Sequence, residues 1–272
     1  MQKNTNLDLC KTGMLELLKY LHKLCVDNKI KYTLEAGTMI GAIRDKGFIS
    51  WDDDCDVSLV REEYDKLIYI LKNTIHPEYI GVYYPENEKQ FLDFNVRLYY
   101  KKIVARDDYA SKNEYSGVFM HPTLDIYPLD YLPEDSFKRR IFVLYQQIAF
   151  GLAMSRRKKI NLSKYRSVER IAIYILSKIG KILSLKSITK FHESKSKMYL
   201  NKNCSYLYGT GWVPEYPGWV FKKELYENVH LTNFESEKFY VLDAYEEVLN
   251  YGYGEWRRPI KTHDHDLFIE NL

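Results

Sequence analysis

The sequence predicts a mixed α/β fold, a mixed sheet flanked by helices and carrying a helical, basic insertion. Three observations predict it. Apolar residues recur at three- and four-residue steps near the N-terminus and again beyond residue 137, which is the period of helices packed along one face. Short segments near 30–36, 54–60 and 123–127 alternate apolar and polar residues, which is the period of half-buried strands. Between these patterns lies Trp51-Asp-Asp-Asp-Cys-Asp56, an acidic run leading straight into the apolar Val57-Ser-Leu-Val60.

Leu7, Cys10, Met14, Leu17, Leu18, Leu21, Leu24 and Cys25 form one stripe on a helix of about six turns. Ile30, Tyr32, Leu34 and Ala36 then alternate with Lys31, Thr33 and Glu35 as a strand. Gly37-Thr38 opens a short helix through Met39, Ile40 and Ile43, with Thr38 as its expected N-cap and Gly47 as its stop. A second strand starts near Asp54 and sets Cys55, Val57 and Leu59 against Asp54, Asp56 and Ser58. Residues 62–73 read as a helix and 91–106 as a hairpin or strand pair. Residues 123–127 read as a third strand, with Leu124 and Ile126 against Thr123, Asp125 and Tyr127, ended by Pro128. Asp130, past that proline, reads as a turn residue. From about 137 to 200 the pattern is helical and basic, and 204–219 reads as an aromatic loop. The expected domains are a core over 1–136, a basic helical insertion over 137–203, and a segment over 204–272 that packs back on the core.

The 272 residues are 46% hydrophobic and 28% charged, as in a globular chain with a sizeable core. No apolar run approaches the ~20 residues of a membrane span. Met1-Gln-Lys-Asn-Thr5 has no secretory pattern, and the four cysteines show neither a Cys-x-x-Cys pair nor zinc spacing. A reduced, cytoplasmic protein is expected. The net charge of +3 hides an asymmetry. Residues 138–202 hold 17 Lys and Arg against Glu169 and Glu193, a local +15 that leaves −12 for the rest. Such a stretch suits an anionic partner, whether a membrane surface, a lipid-linked phosphate or nucleic acid, or else is a solvated helical face. Within it, Ile171, Ile175, Leu176, Ile179, Ile182 and Leu183 make a stripe that fits a membrane-surface helix or, more commonly, a core helix.

Four carboxylates within six residues repel one another, so a cation belongs among them. Side chains two apart on a strand share a face, which lets Asp54 and Asp56 grip one hard ion such as Mg²⁺ or Mn²⁺, or bridge two. Asp52 and Asp53 precede the strand and are expected to orient ligands or accept turn N–H groups. Asp125, a lone acid on the polar face of its strand, is the expected third carboxylate. Gly37 and Thr38 lie at a strand-to-helix turn, where backbone N–H groups can cradle phosphate. Arg44 and Lys46, between that turn and the acids, are expected to neutralise phosphate oxygens. A structural calcium loop is the rival, but it lacks its glycine here and is followed by an apolar strand.

The segment Glu35-Ala-Gly-Thr-Met-Ile-Gly-Ala-Ile-Arg-Asp-Lys-Gly-Phe-Ile-Ser-Trp-Asp-Asp-Asp-Cys-Asp56 resembles the LicD family of choline-phosphate transferases. That family belongs to the nucleotidyltransferase-fold superfamily, with the fukutin-like proteins. Ser50 stands where the family pattern has proline. Asp125-Ile-Tyr-Pro-Leu-Asp130 resembles a second family block, and Tyr251-Gly-Tyr-Gly-Glu-Trp256 with its downstream histidines a looser third. The resemblance implies a nucleotidyltransferase-like core. It implies transfer of a phospho-alcohol, often phosphocholine, from a CDP-alcohol donor to a sugar hydroxyl of lipopolysaccharide, teichoic acid or capsule precursor. It further implies Asp54, Asp56 and Asp125 as metal ligands, with two Mg²⁺ or Mn²⁺ ions, and Gly37 and Thr38 on donor phosphate.

Weaker signals complete the set. Arg97, inside Asn95-Val-Arg-Leu-Tyr99, is a candidate for contacting phosphate, with an ordinary surface ion pair as the alternative. His263 and His265 share a strand face if extended and suit phosphate or metal. Tyr206, Tyr208, Trp212, Tyr216 and Trp219 form either a cage for a quaternary ammonium or ordinary core and sugar-stacking aromatics. The partners expected are a CDP-alcohol and a glycan acceptor, lipid-linked where the basic 138–202 stretch meets the inner face of the cell membrane, with no nucleic acid. The rivals are a nucleotidyltransferase that releases pyrophosphate and a non-catalytic nucleotide- or glycan-binding protein.

Overall fold

In the computed structural model, residues 2–86, 91–105, 121–156, 167–215, 218–261 and 269–271 are described. Helix α1 (Gln2–Asp27) buries Cys10, Met14, Leu17, Leu18, Leu21 and Cys25, the stripe read from its spacing. Strand β1 (Thr33–Leu34) is followed by α2 (Ala36–Ile40) and a π-helical turn, Gly41–Asp45. Strand β2 (Asp56–Val60) runs directly into α3 (Arg61–Asn73). Then come β3 (Ile80–Tyr83), β4 (Val96–Tyr100), β5 (Ile103–Ala105) and β6 (Thr123–Leu132). Helices α4 (Ser136–Met154), α5 (Ser167–Ile182) and α6 (Leu185–Ser196) fill the basic region. The chain closes with β7 (Tyr206–Gly209), β8 (Val220–Lys222), the hairpin β9 (Val229–Phe234) and β10 (Glu237–Leu242), α7 (Tyr245–Tyr253), and β11 (Ile269–Asn271). No helix among the described residues is long and apolar enough to cross a membrane.

The main sheet runs β1-β2-β6-β4-β3, with β7 and then β8 added beyond the far half of β6. β2 and β6 are parallel and the other pairs antiparallel, so the sheet is mixed. Registered pairs share a face. One face carries Asp56 and Ser58 of β2, Asp125 and Tyr127 of β6, and Arg97 of β4. The other carries Val57 and Leu59, Ile126, Pro128 and Asp130, Val96, and Tyr208 of β7.

The structure corrects several expectations. Pro128 does not end its strand, which continues to Leu132. The Asp125 N–H points to β2, donating to the Cys55 carbonyl at 2.8 Å, so the Pro128 nitrogen faces the opposite edge. There β4 pairs with residues 123–126 and β7 with 129–132, leaving 127–128 between them. A missing N–H in that gap removes no ladder bond. Residues 91–106 do not fold on themselves: β4 pairs with β3 and β6, and β5 with β11. Part of 204–219 is strand, since Tyr206–Gly209 extends the sheet.

Asp130 is a buried strand residue rather than a turn residue. It accepts from Arg61 Nε at 2.6 Å and from the second guanidinium arm at 2.5 Å. Thr210 Oγ1 donates to the same carboxylate at 2.5 Å. Arg61, 0% exposed, also reaches Asp65 at 3.4 Å and Glu193 of α6 at 3.3 Å. This pair therefore joins β6, α3 and α6. Removing one partner leaves an uncompensated buried charge, so Arg61→Ala is expected to cost about 3–5 kcal/mol in urea unfolding. A loss within the range of an exposed ion pair would show that this network is not structural.

Candidate active site

The centre is built from backbone outward. Asp56 and Asp125 lie directly opposite each other in the parallel register of β2 and β6. The Asp56 backbone is held on both sides: its N–H donates to Thr38 Oγ1 at 2.9 Å, and its carbonyl accepts from the Glu35 N–H at 3.0 Å. Thr38 is thus not the N-cap of α2; that cap is Glu35, whose side chain accepts from the Ala36 N–H. Ala36 itself has φ 50°, a left-handed conformation costly for alanine and of a kind that clusters at functional sites. Gly37 lies close to the acids: a Cβ there would sit 2.7 Å from Asp52 Oδ2 and would have to displace that carboxylate.

Oxygens of Asp52, Asp53 and Asp54 lie within 4.8 Å of one another. The tightest carboxylate group among the described residues therefore includes the two acids expected only to support the site. Burial and then the neighbouring Asp54 push the Asp52 carboxyl up to about 8, against an opposing pull from Lys11. Burial, then Asp54, Asp125, Asp52 and Glu35, raise Asp56 well above the ordinary carboxylate range. Glu35 is pushed up to about 7 by burial, although Ser58 Oγ donates to it at 2.5 Å and Tyr226 OH at 3.5 Å. These shifts have one sense and one leading cause, burial, to which neighbouring carboxylates add at Asp52 and Asp56. An all-oxygen donor set of this kind, Asp52, Asp53 and Asp54, is of the type that could hold a hard divalent cation.

Asp125 is placed beside this group but is differently engaged. Arg97 grips it with two arms, Nε to Oδ1 and a second nitrogen to Oδ2 at 2.6 Å, and Tyr127 OH donates to Oδ2 at 3.2 Å. Arg97 is buried and also faces Asp93 at 3.7 Å, so it is neither a surface ion pair nor aimed first at phosphate. Arg44 is occupied by Asp45 and by the Trp256 carbonyl at 3.0 Å. Lys46 Nζ folds back on the Ile43 carbonyl at 3.0 Å. His263 and His265 lie outside the described residues.

Three residues were missed in the sequence. Lys11 of α1 lies where Asp52 and Glu235 both act on its charge, although nothing in its helical spacing signals this. Tyr127 follows Asp125 by two in a strand, so the two-residue period already placed it on the acidic face. Tyr253 lies close enough for Glu35, Asp56, Asp54 and Asp52 to add to burial in raising its hydroxyl, which brings the Tyr251–Trp256 block to the acids. Tyr127 also packs on Trp212 (5.4 Å between ring centres), and Trp212 on Trp219 (5.0 Å). Phe221 links Tyr226 and Tyr251 (5.5 and 5.6 Å). An aromatic wall therefore runs from Asp125 round to Glu35.

Comparison with known proteins gives a concordant picture. Residues 29–150 match the LicD/FKTN/FKRP nucleotidyltransferase domain. The chain is 29% identical over 249 residues to the lipopolysaccharide cholinephosphotransferase LicD of Haemophilus influenzae, covering 90% of this chain and 88% of that protein. An uncharacterised Rickettsia prowazekii protein is 31% identical over 126 residues, 43% of this chain and 45% of its own length.

Glu35 and Asp52 bind protons more tightly folded than unfolded. Their contribution to stability is therefore full below the unfolded carboxylate value and is lost as pH rises through about 7 to 8. In chelator, the thermal midpoint is expected to fall between about pH 5 and about pH 8. Mg²⁺ or Mn²⁺ selects ionised carboxylates, so the recovered midpoint should be large at the upper pH and small at the lower. A metal effect equal at both pH values would rule out binding through these groups.

Proposed function

We propose that this chain is a LicD-family transferase of phosphate-containing groups, and that it transfers phosphocholine from CDP-choline to a sugar hydroxyl of a cell-surface glycan, releasing CMP. The acceptor we favour is a lipopolysaccharide precursor made on the cytoplasmic side, by analogy with the lipopolysaccharide cholinephosphotransferase of Haemophilus influenzae. The observation that carries the reading is the Asp52–Asp54 carboxylate group at the head of β2, next to Asp56 and Asp125 paired across β2 and β6, with Gly37 set against Asp52. We read 1–136 as the catalytic core, 137–203 as a helical insertion, and 204–272 as the returning segment. The entry of β7 into the sheet beside β6 supports that division.

A divalent cation held by Asp54 and Asp56 would neutralise donor phosphate oxygens and lower the acceptor hydroxyl's pKa. The protein's own contribution is positioning. Asp125 is a poor proton acceptor, because both of its oxygens already accept from Arg97 and one also from Tyr127. We assign it to orienting the wall of the centre. Asp56, pinned at both its N–H and its carbonyl, receives the hydroxyl proton. The acceptor oxygen then bonds to the choline-bearing phosphorus, the bond from that phosphorus to the bridging oxygen breaks, and CMP leaves. The aromatic wall supports choline as the alcohol, since π faces attract quaternary ammonium by ~1–2 kcal/mol once water is displaced.

Two measurements test this. Asp54→Ala and Asp56→Asn are expected to lower CMP release by about 10²–10⁴-fold with the circular dichroism spectrum retained. Incubation with CDP-choline, CDP-ethanolamine, CDP-glycerol or CDP-ribitol and Mg²⁺ or Mn²⁺, scored for CMP by mass spectrometry, identifies the donor. Pyrophosphate released from a nucleoside triphosphate would instead identify a nucleotidyltransferase. Tyr253→Leu should raise KM for CDP-choline about tenfold and leave CDP-glycerol unchanged. An equal change for both donors would remove the aromatic argument.

A further inference from the structure

Helix α5 is turned the wrong way for a core helix. One side seats on α4: Leu176 packs against Gly151, and Gly180 approaches so closely that a Cβ there would sit 2.2 Å from the Leu152 carbonyl oxygen. That contact fixes the rotation of α5 about its axis. The side left facing outward carries Ile171, Ile175, Ile179 and Ile182, exposed by 62, 51, 43 and 85%, with Tyr174 beside them. These four isoleucines are spaced by four, four and three residues, so they form a continuous stripe. Isolated apolar residues on a surface are ordinary, but an aligned row of this length marks an interaction surface.

Its surroundings identify the occupant. Lys178 lies over the Tyr174 ring, 5.3 Å from its centre. Lys181 closes the same helix, and Lys186 and Lys190 follow one turn apart on α6. Lys181, Lys186 and Lys190 have no ion-pair partner among the described residues. An apolar stripe flanked on its own helix by Lys178 and Lys181, and followed in the chain by the lysines of α6, matches the interface of an anionic bilayer, with isoleucines at the acyl boundary and ammonium groups at the headgroups. A protein partner would need its own apolar groove and acidic rim, whereas a lipid surface supplies both without shape matching.

We propose that α5 and the start of α6 dock this protein on an anionic phospholipid surface, lying in its plane. This goes beyond the phosphocholine reading and holds whichever alcohol is transferred. The helical layer packs on the sheet face that carries Asp130 and Tyr208, opposite the face of Asp56 and Asp125. Docking and chemistry are therefore separable.

The test is liposome flotation of the full chain with phosphatidylcholine vesicles and with vesicles that include phosphatidylglycerol. The protein is expected to float with the anionic vesicles and not the neutral ones. The double substitution Ile175→Ser, Ile179→Ser should lower recovery at least about tenfold, and Lys186→Glu with Lys190→Glu should do the same. Each variant should keep the wild-type melting curve and its CMP release with a water-soluble acceptor. Equal recovery from both vesicle types, or none from either, would overturn the proposal. So would a dimer in light scattering that dissociates on Ile175→Ser, Ile179→Ser, since the stripe would then meet a second copy. Lost CMP release from wild type with retained flotation would sink the phosphocholine reading and leave this one standing.

Discussion

The structure depends on an electrostatic debt: five carboxylates, Glu35, Asp52, Asp54, Asp56 and Asp125, act on one another around the start of a single strand. Arg97 opposes this at Asp125, and Lys11 at Asp52. Folding does not relieve this at Asp56 and Asp125, because moving either away would break the β2–β6 register or the Thr38 and Glu35 bonds that hold Asp56. Protonation relieves it at low pH and a bound cation relieves it at higher pH. A sheet that accepts such repulsion at its centre is organised around a ligand rather than around its own stability.

The surrounding elements can be read as supports for that centre. α2 and the π-helical turn bring Gly37 against Asp52, and the turn ends at Lys46 in a left-handed conformation (φ 61°). The β9–β10 turn clamps it there: Glu235 N–H donates to the Lys46 carbonyl at 2.8 Å, and Phe48 N–H donates to the Glu235 carboxylate at 2.9 Å. From the other end of the chain, the Trp256 carbonyl takes Arg44. The hairpin and the α7 region, remote in sequence, thus fix the segment that presents the acids.

What was legible in the sequence follows from range. The stripe of α1 and the helix read over 62–73 are local patterns and appear within one residue of the reading, whereas the strand read from near Asp54 begins only at Asp56, which leaves Asp54 outside the strand face it was expected to share with Asp56. Asp125 beside Asp56 was legible because a lone acid on the polar side of an apolar strand has few other uses. The roles of Pro128 and Asp130 were not legible, because they depend on which strand borders each half of β6. Arg97 was ambiguous for the same reason: alone it is a surface cation, and only pairing with β6 makes it the clamp of Asp125. Lys11 carried no signal and Tyr253 only its place in the Tyr251–Trp256 block, since their approach to the acids is set by how whole helices dock.

β6 resolves a conflict that a chemically active sheet faces. Its odd positions, Asp125 and Tyr127, build the acidic centre, while its even positions, Ile126, Asp130 and Leu132, hold the helical layer. Both jobs need charged groups, and on one face they would compete: Arg61 could neutralise the carboxylates that have to stay available. Strand alternation separates them without distance. Asp130 takes Arg61 and anchors α3 and α6, and Asp125 takes Arg97 and lines the centre. A slip of one residue in this strand would exchange the two acids between faces. The same alternation leaves the outer helices free to carry an apolar, basic surface without altering the centre behind them.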